Sequence, residues 1–387
     1  MPPVNDQTLR LGGNSVAPPS WLDALNCRPC VGTFSRYCLS PHNTLDETMR
    51  ILVTGGAGYI GSHTCIELLN AGHEIVVVDN LCNSSPESLR RVAKLTQKTL
   101  DFHEISLSET EQLSAVFARD PIDAVIHFAA YKAVGESVTK PIEYYQNNVA
   151  GTLHLLETMR RHNCTNLVYS SSCTVYGEPQ QLPITEDHPT ATAESPYGWT
   201  KLMTEQIMRD IYTSDPTWNF ALLRYFNPAG AHPSGDIGED PNGIPCNLMP
   251  YITQVAVGRL QQLRVFGDDY PTPDGTGVRD YIHVVDLASA HVFAVEKLAN
   301  NPGLLTCNLG TGRGYSVLEM IAAFEKVTGI RIPYQIVERR AGDVVSAYAD
   351  PAKAERELGW KARFDLDTMC RDGWNWQQKN PNGFGSE

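Results

Sequence analysis

One short stretch near residue 50 constrains the fold more than any other part of the chain. Residues 49–54 read Met-Arg-Ile-Leu-Val-Thr, an apolar run typical of a buried strand, and residues 55–61 follow as Gly-Gly-Ala-Gly-Tyr-Ile-Gly. A helical pattern over 61–71 and a second apolar run over 74–79 come next. Gly55 permits a tight turn, Gly58 a close approach of the backbone to a ligand, and Gly61 close packing of helix on strand. The order therefore predicts a strand–helix–strand unit with a parallel strand pair.

The alternation of apolar runs and helical patterns continues beyond this unit. The further runs lie at 124–128, 166–170 and 220–224. A helix is predicted over 148–161, with one apolar face formed by Val149, Leu153, Leu156 and Met159. Strands that are apolar throughout are buried on both faces, which is typical of parallel sheets. We predict an α/β fold with a Rossmann-type, doubly wound parallel sheet.

The composition and pattern of the sequence change near Asn227. A stretch rich in proline and glycine begins there, and the regular strand–helix rhythm does not return. We predict a first domain over 49–226 and a smaller, mixed α/β C-terminal lobe over 227–387. Some segments of the lobe are expected to return to the first domain.

Charge and hydropathy exclude two classes of partner. The chain has 387 residues and a formal net charge of −13. Nucleic acids and anionic membrane surfaces repel an acidic protein. No apolar run approaches the ~18 residues that a membrane span needs. We therefore expect neither nucleic acid nor a membrane among the partners.

Residues 1–48 differ in composition from the rest of the chain. They are rich in proline and glycine, have no helical or strand period, and end just before Met49. They lack the basic stretch and apolar core of a secretory signal. We predict a disordered or non-native N-terminal extension and a cytoplasmic protein. Cys27 and Cys30 have the spacing of half a zinc site, but no second Cys or His pair follows, so no metal site is predicted.

The glycine turn and the residue that ends the second strand predict a dinucleotide site. A diphosphate is stabilised at a helix N-terminus, because unpaired N–H groups and the helix dipole favour an anion there. Asp79 ends the run at 74–79, where a carboxylate accepts the ribose hydroxyls and repels a 2′-phosphate. The pattern favours NAD over NADP as the cofactor.

A second sequence pattern predicts the catalytic residues. Tyr197 and Lys201 are four residues apart, which puts both side chains on one face of a helix. Free tyrosine has a pKa near ~10, and a nearby ammonium group and the positive nicotinamide favour its phenolate form. Ser172 lies at the end of the run that starts at 166, where ligands bind in such sheets. Together they predict an alcohol-oxidising site in which Tyr197 takes the proton, Ser172 binds the reacting oxygen and NAD takes the hydride.

Longer motifs resemble those of the extended short-chain dehydrogenase/reductase superfamily and, within it, the UDP-galactose 4-epimerase family. Residues 127–137 read His-Phe-Ala-Ala-Tyr-Lys-Ala-Val-Gly-Glu-Ser, and residues 170–177 read Ser-Ser-Ser-Cys-Thr-Val-Tyr-Gly. Residues 224–232 and 277–283 are similar to segments that carry substrate residues in that family. The resemblance runs from residue 49 to about residue 384. It implies interconversion of UDP-glucose and UDP-galactose by oxidation at C4, rotation of the 4-keto sugar and return of the hydride.

The resemblance also implies a role for each matching residue. Tyr197 is the base and then the acid, Lys201 tunes its pKa, and Ser172 supports the reacting hydroxyl. The implied NAD site consists of Gly55, Gly58, Tyr59, Ile60, Gly61, Asp79, Asn80, Asn83, Ser84, Phe128, Ala129, Lys132, Asn147 and Tyr225. The implied UDP-sugar site consists of Asn227, Asn247, Leu248, Phe266, Arg279, Arg340, Asp343 and Ala347. A homodimer formed through helices of the cofactor domain, at 148–161 and 197–211, is also implied.

Two positions decide between activities. Related families that dehydrate nucleotide sugars place an Asp-Glu pair just after the catalytic hydroxyl, whereas this chain has Cys173 and Thr174. Ala347 stands where relatives selective for plain hexoses carry a bulky tyrosine, which predicts room for a 2-acetamido group and activity on UDP-GlcNAc and UDP-GalNAc. The alternatives are another NAD-dependent nucleotide-sugar epimerase or dehydratase, and a non-catalytic NAD-sensing protein.

Overall fold

Thirteen strands lie in the part of the chain that the structure, a computed structural model, describes: residues 48–190, 193–340 and 342–385. They are β1 (Arg50–Thr54), β2 (Glu74–Asp79), β3 (Asp101–Glu104), β4 (Ala124–His127), β5 (Asn166–Ser172), β6 (Asn219–Tyr225), β7 (Asn227–Ala229), β8 (Leu263–Phe266), β9 (Val278–His283), β10 (Leu304–Leu309), β11 (Gly314–Ser316), β12 (Tyr334–Val337) and β13 (Ser346–Ala347). The predicted extension 1–48 falls, up to residue 47, outside the described residues, as do Cys27 and Cys30.

Helices alternate with these strands. They are α1 (Tyr59–Ala71), α2 (Pro86–Thr96), α3 (Thr110–Arg119), α4 (Val134–Thr139), α5 (Pro141–Tyr144), α6 (Gly151–Arg161), α7 (Pro196–Ser214), α8 (Leu248–Ala256), α9 (Val284–Leu298), α10 (Val317–Thr328), α11 (Ala352–Leu358) and α12 (Leu366–Lys379). A short π-helix (Tyr145–Ala150) precedes α6, and a 3₁₀ turn (Cys173–Tyr176) follows β5.

The main sheet is seven-stranded, with the strand order β10-β6-β5-β4-β1-β2-β3. Every neighbouring pair in it is parallel. The strand order reverses direction beside β1, which gives the doubly wound topology of Rossmann folds, with ligands expected at the carboxyl ends of the strands. The predicted fold class is confirmed.

Side chains of successive residues in one strand enter different layers of the core. Ile51 and Val53 belong to the apolar cluster on one face of the sheet, while Leu52 belongs to the cluster on the other. All three side chains are fully buried. Burial on both faces explains why the strands lack polar alternation.

The C-terminal part builds two smaller sheets. In one of them β9 pairs with β7, β11 and β13, and in the other β8 pairs with β12. Strand β10 returns to the main sheet and pairs with β6. The boundary between residues 226 and 227 stays a prediction.

One predicted helix differs from the structure. The stretch 148–161 begins as the π-helix and becomes α-helical only at Gly151. Asn148 explains the irregular start, since its side chain bonds both backbone groups of Tyr131, at 2.8 Å and 2.9 Å. The predicted apolar face was wrong at Leu153, which is 45% exposed, while Leu156 and Met159 are buried. The tertiary neighbours, not the helical period alone, decide which apolar positions are covered.

None of the helices in the described ranges has the length and apolar character needed to cross a bilayer. Within the same ranges, no three His, Cys, Asp or Glu side chains are grouped so as to hold a metal ion.

Candidate active site

The glycine turn between β1 and α1 is packed so tightly that side chains do not fit. Gly55 has φ +71°, and a Cβ atom on it would lie 2.7 Å from the backbone nitrogen of Ala129. A Cβ atom on Gly61 would lie 2.3 Å from the carbonyl oxygen of Gly55. Gly58 precedes α1 and gives it no side-chain cap. The first turn of α1, with Tyr59, Ile60 and Gly61, therefore presents backbone N–H groups, an arrangement that fits a diphosphate.

Asp79 is fixed beside this turn at the end of β2. Its Oδ1 accepts hydrogen bonds from the Leu81 backbone and the Ser84 hydroxyl, both at 2.9 Å, and its Oδ2 accepts one from the Ala57 backbone at 3.0 Å. The carboxylate is 6% exposed. Asn80 and Asn83 lie on the same loop between β2 and α2. The turn and the loop form the part of the sheet edge where the sequence analysis predicts the adenosine half of NAD.

The other predicted cofactor residues follow neighbouring strands of the same sheet edge. Phe128 and Ala129 come directly after β4, and Asn147 lies in the π-helix. Tyr225 ends β6, but its hydroxyl hydrogen-bonds the His291 ring inside the core. A contact between Tyr225 and a cofactor would therefore involve its backbone.

Helix α7 carries the predicted catalytic pair. Ser195 caps the helix by accepting a hydrogen bond from the Gly198 N–H at 3.2 Å, and Pro196 occupies its first turn. This start places Tyr197 against the end of β5, close enough to Ser172 for the serine hydroxyl to lower the pKa of the phenol. The Lys201 ammonium donates to the Ser170 carbonyl at 2.5 Å and lies 5.9 Å from the centroid of the Tyr197 ring. The structure brings these predicted residues together.

Burial dominates the acid–base properties of this pair. It raises the pKa of Tyr197 to about 12, and the hydrogen bond from Ser172 opposes that rise. Burial also lowers the pKa of Lys201 to about 7, and the negative charge of Glu205 opposes that fall. The protein alone therefore keeps the phenol protonated, and the phenolate that the sequence argument favours also needs the positive charge of the nicotinamide. The reason is that loss of solvent outweighs the charge of a lysine that is itself poorly solvated.

A buried ion pair that the sequence analysis did not predict lies beside these residues. Glu205 accepts hydrogen bonds from the Arg224 guanidinium at 2.9 Å and 2.6 Å and from the Ser171 hydroxyl at 2.5 Å. All three residues are at most 2% exposed. Glu205 lies one helical turn beyond Lys201, so the spacing of Tyr197, Lys201 and Glu205 is the signal that could have identified it. The pair fixes β5 and β6 to α7 below the reacting groups.

The predicted UDP residues of the lobe form a group around Asp343. The Arg340 guanidinium donates two hydrogen bonds to the Asp343 carboxylate, at 3.1 Å and 2.9 Å. Arg279 on β9 lies 3.8 Å from the same carboxylate. The guanidinium carbon of Arg340 is 5.4 Å from the centroid of the Phe266 ring. Two cations and an aromatic ring thus lie together, as a nucleotide diphosphate needs.

Three further predicted substrate residues lie nearby in the fold. Asn227 begins β7, Asn247 precedes α8, and Leu248 is its first residue. Ala347 on β13 pairs with Arg279 on β9 and is 6% exposed. It belongs to the apolar cluster against which Cys173, the residue after Ser172, is packed.

Glu239, another residue missed in the sequence, joins the cofactor and substrate groups. Its Oε1 accepts hydrogen bonds from Lys132 at 2.9 Å and from the Asn247 amide at 2.7 Å. It lies in the proline- and glycine-rich stretch, where the sequence carries no pattern that distinguishes one acidic residue from another. Long-range geometry is the only signal for it.

The chain is similar to known proteins over nearly all of its described length. The family model described as GDP-mannose 4,6 dehydratase matches residues 52–373. UDP-glucose 4-epimerase from Bacillus subtilis is 63% identical over 338 residues, which are 87% of this chain and 99% of that protein.

Solved structures agree in fold and sequence. UDP-glucose 4-epimerase from Bifidobacterium longum in complex with NAD⁺ and UDP superposes with a TM-score of 0.85 and is 56% identical, covering 86% of this chain and 99% of its own. The Stenotrophomonas maltophila enzyme with bound NAD and formylated UDP-arabinopyranose has a TM-score of 0.84 and is 51% identical, with 86% and 99% covered.

The glycine turn, the Tyr197–Ser172 contact and the paired arginines of the lobe lie within the matched region. Identity above half of the aligned residues across whole relatives agrees with the resemblance carried by the sequence motifs. The chain therefore belongs to the UDP-glucose 4-epimerase family of the extended short-chain dehydrogenase/reductase superfamily.

Proposed function

We propose that the protein interconverts UDP-glucose and UDP-galactose with NAD as a retained cofactor. The observation that carries the proposal is the placement of Tyr197 and Lys201 against the carboxyl end of β5, where Lys201 donates to the Ser170 carbonyl and Ser172 lowers the pKa of the Tyr197 phenol. That strand end lies on the same sheet edge as the glycine turn after β1, since β4 pairs with both strands. An acid–base pair beside a dinucleotide cradle fits oxidation and reduction of a sugar hydroxyl.

The chain's own residues handle the proton. Ser172 orients the 4-hydroxyl of the sugar, and Tyr197 removes its proton as C4 is oxidised. NAD, when bound, supplies the hydride acceptor and donor, together with a positive charge that lowers the pKa of a neighbouring phenol. The 4-keto sugar then turns its other face to the site, and Tyr197 returns the proton. Lys201 is buried, which keeps water away from the ammonium group beside the reacting phenol.

Binding is divided between the two ends of the substrate. Arg279, Arg340, Asn227 and Asn247 hold the UDP part, with the Leu248 backbone and the Phe266 ring, while the hexose is held loosely enough to turn. Much of the binding energy thus resides in the part that does not react. Asp343 orders the two arginines before the diphosphate arrives.

A dehydratase is the alternative that the description of the matching family model raises. Elimination of a substituent needs an acid and a base next to the catalytic hydroxyl. Here the Thr174 backbone and hydroxyl both donate to the Ser172 oxygen, at 3.2 Å and 3.0 Å, and Cys173 packs against apolar neighbours. The absence of a carboxylate at 173 and 174 favours epimerisation.

The product formed from UDP-glucose tests the proposal. UDP-galactose supports it, whereas a 4-keto-6-deoxy sugar would mean that the enzyme is a dehydratase. Stoichiometric release of free NADH, with a strict need for added NAD, would contradict a retained cofactor.

The small side chain at Ala347 supports a second pair of substrates, UDP-GlcNAc and UDP-GalNAc. Ala347 lies beside Arg279 and in the apolar cluster next to Cys173, so added volume there would occupy space near the sugar. Ala347→Tyr should remove the acetamido activity and spare the hexose activity. Wild-type turnover of UDP-GlcNAc roughly a thousandfold or more below that of UDP-glucose would rule out the acetamido sugars as substrates. A gap of that size exceeds what one added substituent costs in a pocket with room for it.

A cytoplasmic homodimer is the form we propose for the enzyme. Three apolar side chains on the predicted interface helices are exposed: Leu153 on α6, and Trp199 and Met203 on α7. Exposed apolar groups of this size are typical of interfaces. Sedimentation analysis tests the dimer, and fractionation of cells tests the compartment.

A further inference from the structure

Asn247 occupies the position at which a helix is normally capped, yet it does not cap α8. Asparagine is among the strongest N-cap residues, because its side-chain oxygen accepts an N–H bond from the first turn. At Asn247 the backbone has the usual extended conformation, but no side-chain cap is formed. Something else therefore engages the amide.

Glu239 engages it. Its Oε1 accepts from the Asn247 amide nitrogen at 2.7 Å and from the Lys132 ammonium at 2.9 Å. The Glu239 side chain is 8% exposed, so its carboxylate is shielded from water, whereas the Lys132 side chain is 54% exposed. Its charge also reaches Tyr59 in the first turn of α1, where burial and then Glu239 raise the pKa of the phenol.

The backbone of Glu239 is held independently of these contacts. The Trp376 indole donates to the Glu239 carbonyl at 3.1 Å. A Cβ atom on the preceding Gly238 would lie 2.3 Å from the Trp376 ring, so the chain rests directly on that ring. Helix α12 thus sets the position from which Glu239 reaches Asn247.

The consequence is a helix start with free donors. Pro250, in the first turn of α8, has no N–H, so Met249 supplies the first-turn N–H that a cap at Asn247 would use, and the Leu248 N–H lies outside the reach of such a cap. Since the Asn247 side chain is turned away, both are left for an anion, which the helix dipole also favours.

We propose that Glu239 is a positioning residue that holds the Asn247 amide away from α8 and so keeps the helix N-terminus open for the diphosphate of the UDP-sugar. Through Lys132, the same carboxylate ties this arrangement to the cofactor side of the site. The inference rests on the proposed UDP site and adds a residue to which neither sequence nor family resemblance assigned a role.

Calorimetric titration of the NAD-loaded protein with UDP tests the proposal. Glu239→Leu removes the acceptor, frees Asn247 to cap α8, and should weaken UDP binding about tenfold, the usual effect of losing a bond to a charged group. Glu239→Gln keeps an oxygen for the Asn247 amide and should stay within about threefold of the wild type. Equal UDP affinity for the wild type and Glu239→Leu would overturn the proposal, and so would equal losses in both variants.

A second variant separates positioning from a merely structural role and does not depend on the folding of Glu239→Leu. Asn247→Ser keeps a strong cap residue but cannot reach Glu239. We expect its melting temperature to rise or stay unchanged while UDP affinity falls. A drop in melting temperature would show that the Asn247–Glu239 bond serves stability, which would overturn the proposal.

The double variant shows whether Glu239 acts through Asn247. In the Asn247→Ser background, Glu239→Leu should cause no further loss of UDP affinity, because the amide it positions is gone. A full, additive loss would contradict the proposal.

Failure of this inference is distinguishable from failure of the proposed function. A wild-type protein that binds UDP but does not interconvert UDP-glucose and UDP-galactose would refute the function alone. An active wild type whose UDP affinity is insensitive to Glu239 would refute the inference alone.

Discussion

The two halves of the site are prepared for their ligands in different ways. On the cofactor side, the turn at Gly55 and Gly61 is shaped by backbone contacts that leave no room for a Cβ atom. On the nucleotide-sugar side, the site consists of long charged side chains paired with one another, such as Arg340 and Arg279 with Asp343.

The difference suits one ligand that stays and one that leaves. A backbone cradle loses little conformational entropy on binding and has few alternatives, which favours a retained cofactor. Paired side chains must exchange partners when a diphosphate arrives, and this exchange offsets part of the binding energy. The weaker net affinity allows product release.

The largest effect is expected at the junction of the two halves. Tyr197→Phe should reduce epimerase turnover by about a thousandfold or more, the usual contribution of a general acid–base group. NAD content and UDP affinity should be unchanged, because the hydroxyl belongs to neither cradle. Turnover by stopped assay and cofactor content by absorbance check this. Retained turnover in Tyr197→Phe would mean that another group moves the proton. A wild-type protein without epimerase activity would favour the non-catalytic NAD-sensing alternative.

Next comes a change that breaks the cofactor half alone. Gly61→Ala forces a Cβ atom to within 2.3 Å of the Gly55 carbonyl. We expect loss of bound NAD and a fall of about 1–3 kcal/mol in the free energy of unfolding, the usual cost of overpacking. Gly135→Ala is the matched control, since nothing lies within 4 Å of a Cβ atom there. Full NAD content in Gly61→Ala would show that the cradle is not rigid.

A smaller effect is expected when the nucleotide half alone is weakened. Arg340→Gln should raise KM for UDP-galactose about tenfold with kcat nearly unchanged, because a charged donor to the non-reacting end is lost. Its neighbour Arg339 pairs instead with the exposed Asp269, so Arg339→Gln is the control. A fall in kcat at constant KM would place Arg340 at the reacting sugar.

The last prediction concerns the dependence of stability on pH rather than ligand binding. The pKa of Lys201 is about 7 in the folded chain, against an ordinary value of 10.5. Between these values the unfolded chain holds a proton that the folded chain has released, so the lysine destabilises the protein less as the pH rises from 7 to 10.5. Denaturation of cofactor-stripped protein should show that the free energy of unfolding of the wild type gains from this release as the pH rises. The same gain should be absent from Lys201→Met. Lys361→Met, which changes an exposed lysine, serves as the control. Identical pH profiles of stability for all three proteins would contradict the prediction.

The features that the sequence predicted correctly are local. The glycine turn, the strand that ends at Asp79 and the spacing of Tyr197 and Lys201 each lie within a few residues, and their geometry follows from strand and helix periods. The fold class followed from the same alternation. The roles of individual site residues stay predictions.

The features that it did not predict depend on distant parts of the chain. Glu205 meets Arg224, and Glu239 meets Lys132, across gaps that no periodic pattern spans. The effect of burial on the pKa of Tyr197 was also absent from the sequence argument, because a motif gives a charged neighbour but not the extent of desolvation. Tertiary packing decides all three.

The return of β10 to the main sheet has a consequence for synthesis of the protein. Strand β6 ends at residue 225, but its outer partner β10 begins only at residue 304. While the ribosome adds the intervening residues, the nascent sheet exposes the open edge of an apolar, parallel strand, the kind of surface at which chains aggregate. The order of strands therefore keeps this edge open until residue 309 has left the exit tunnel and β10 can pair with β6.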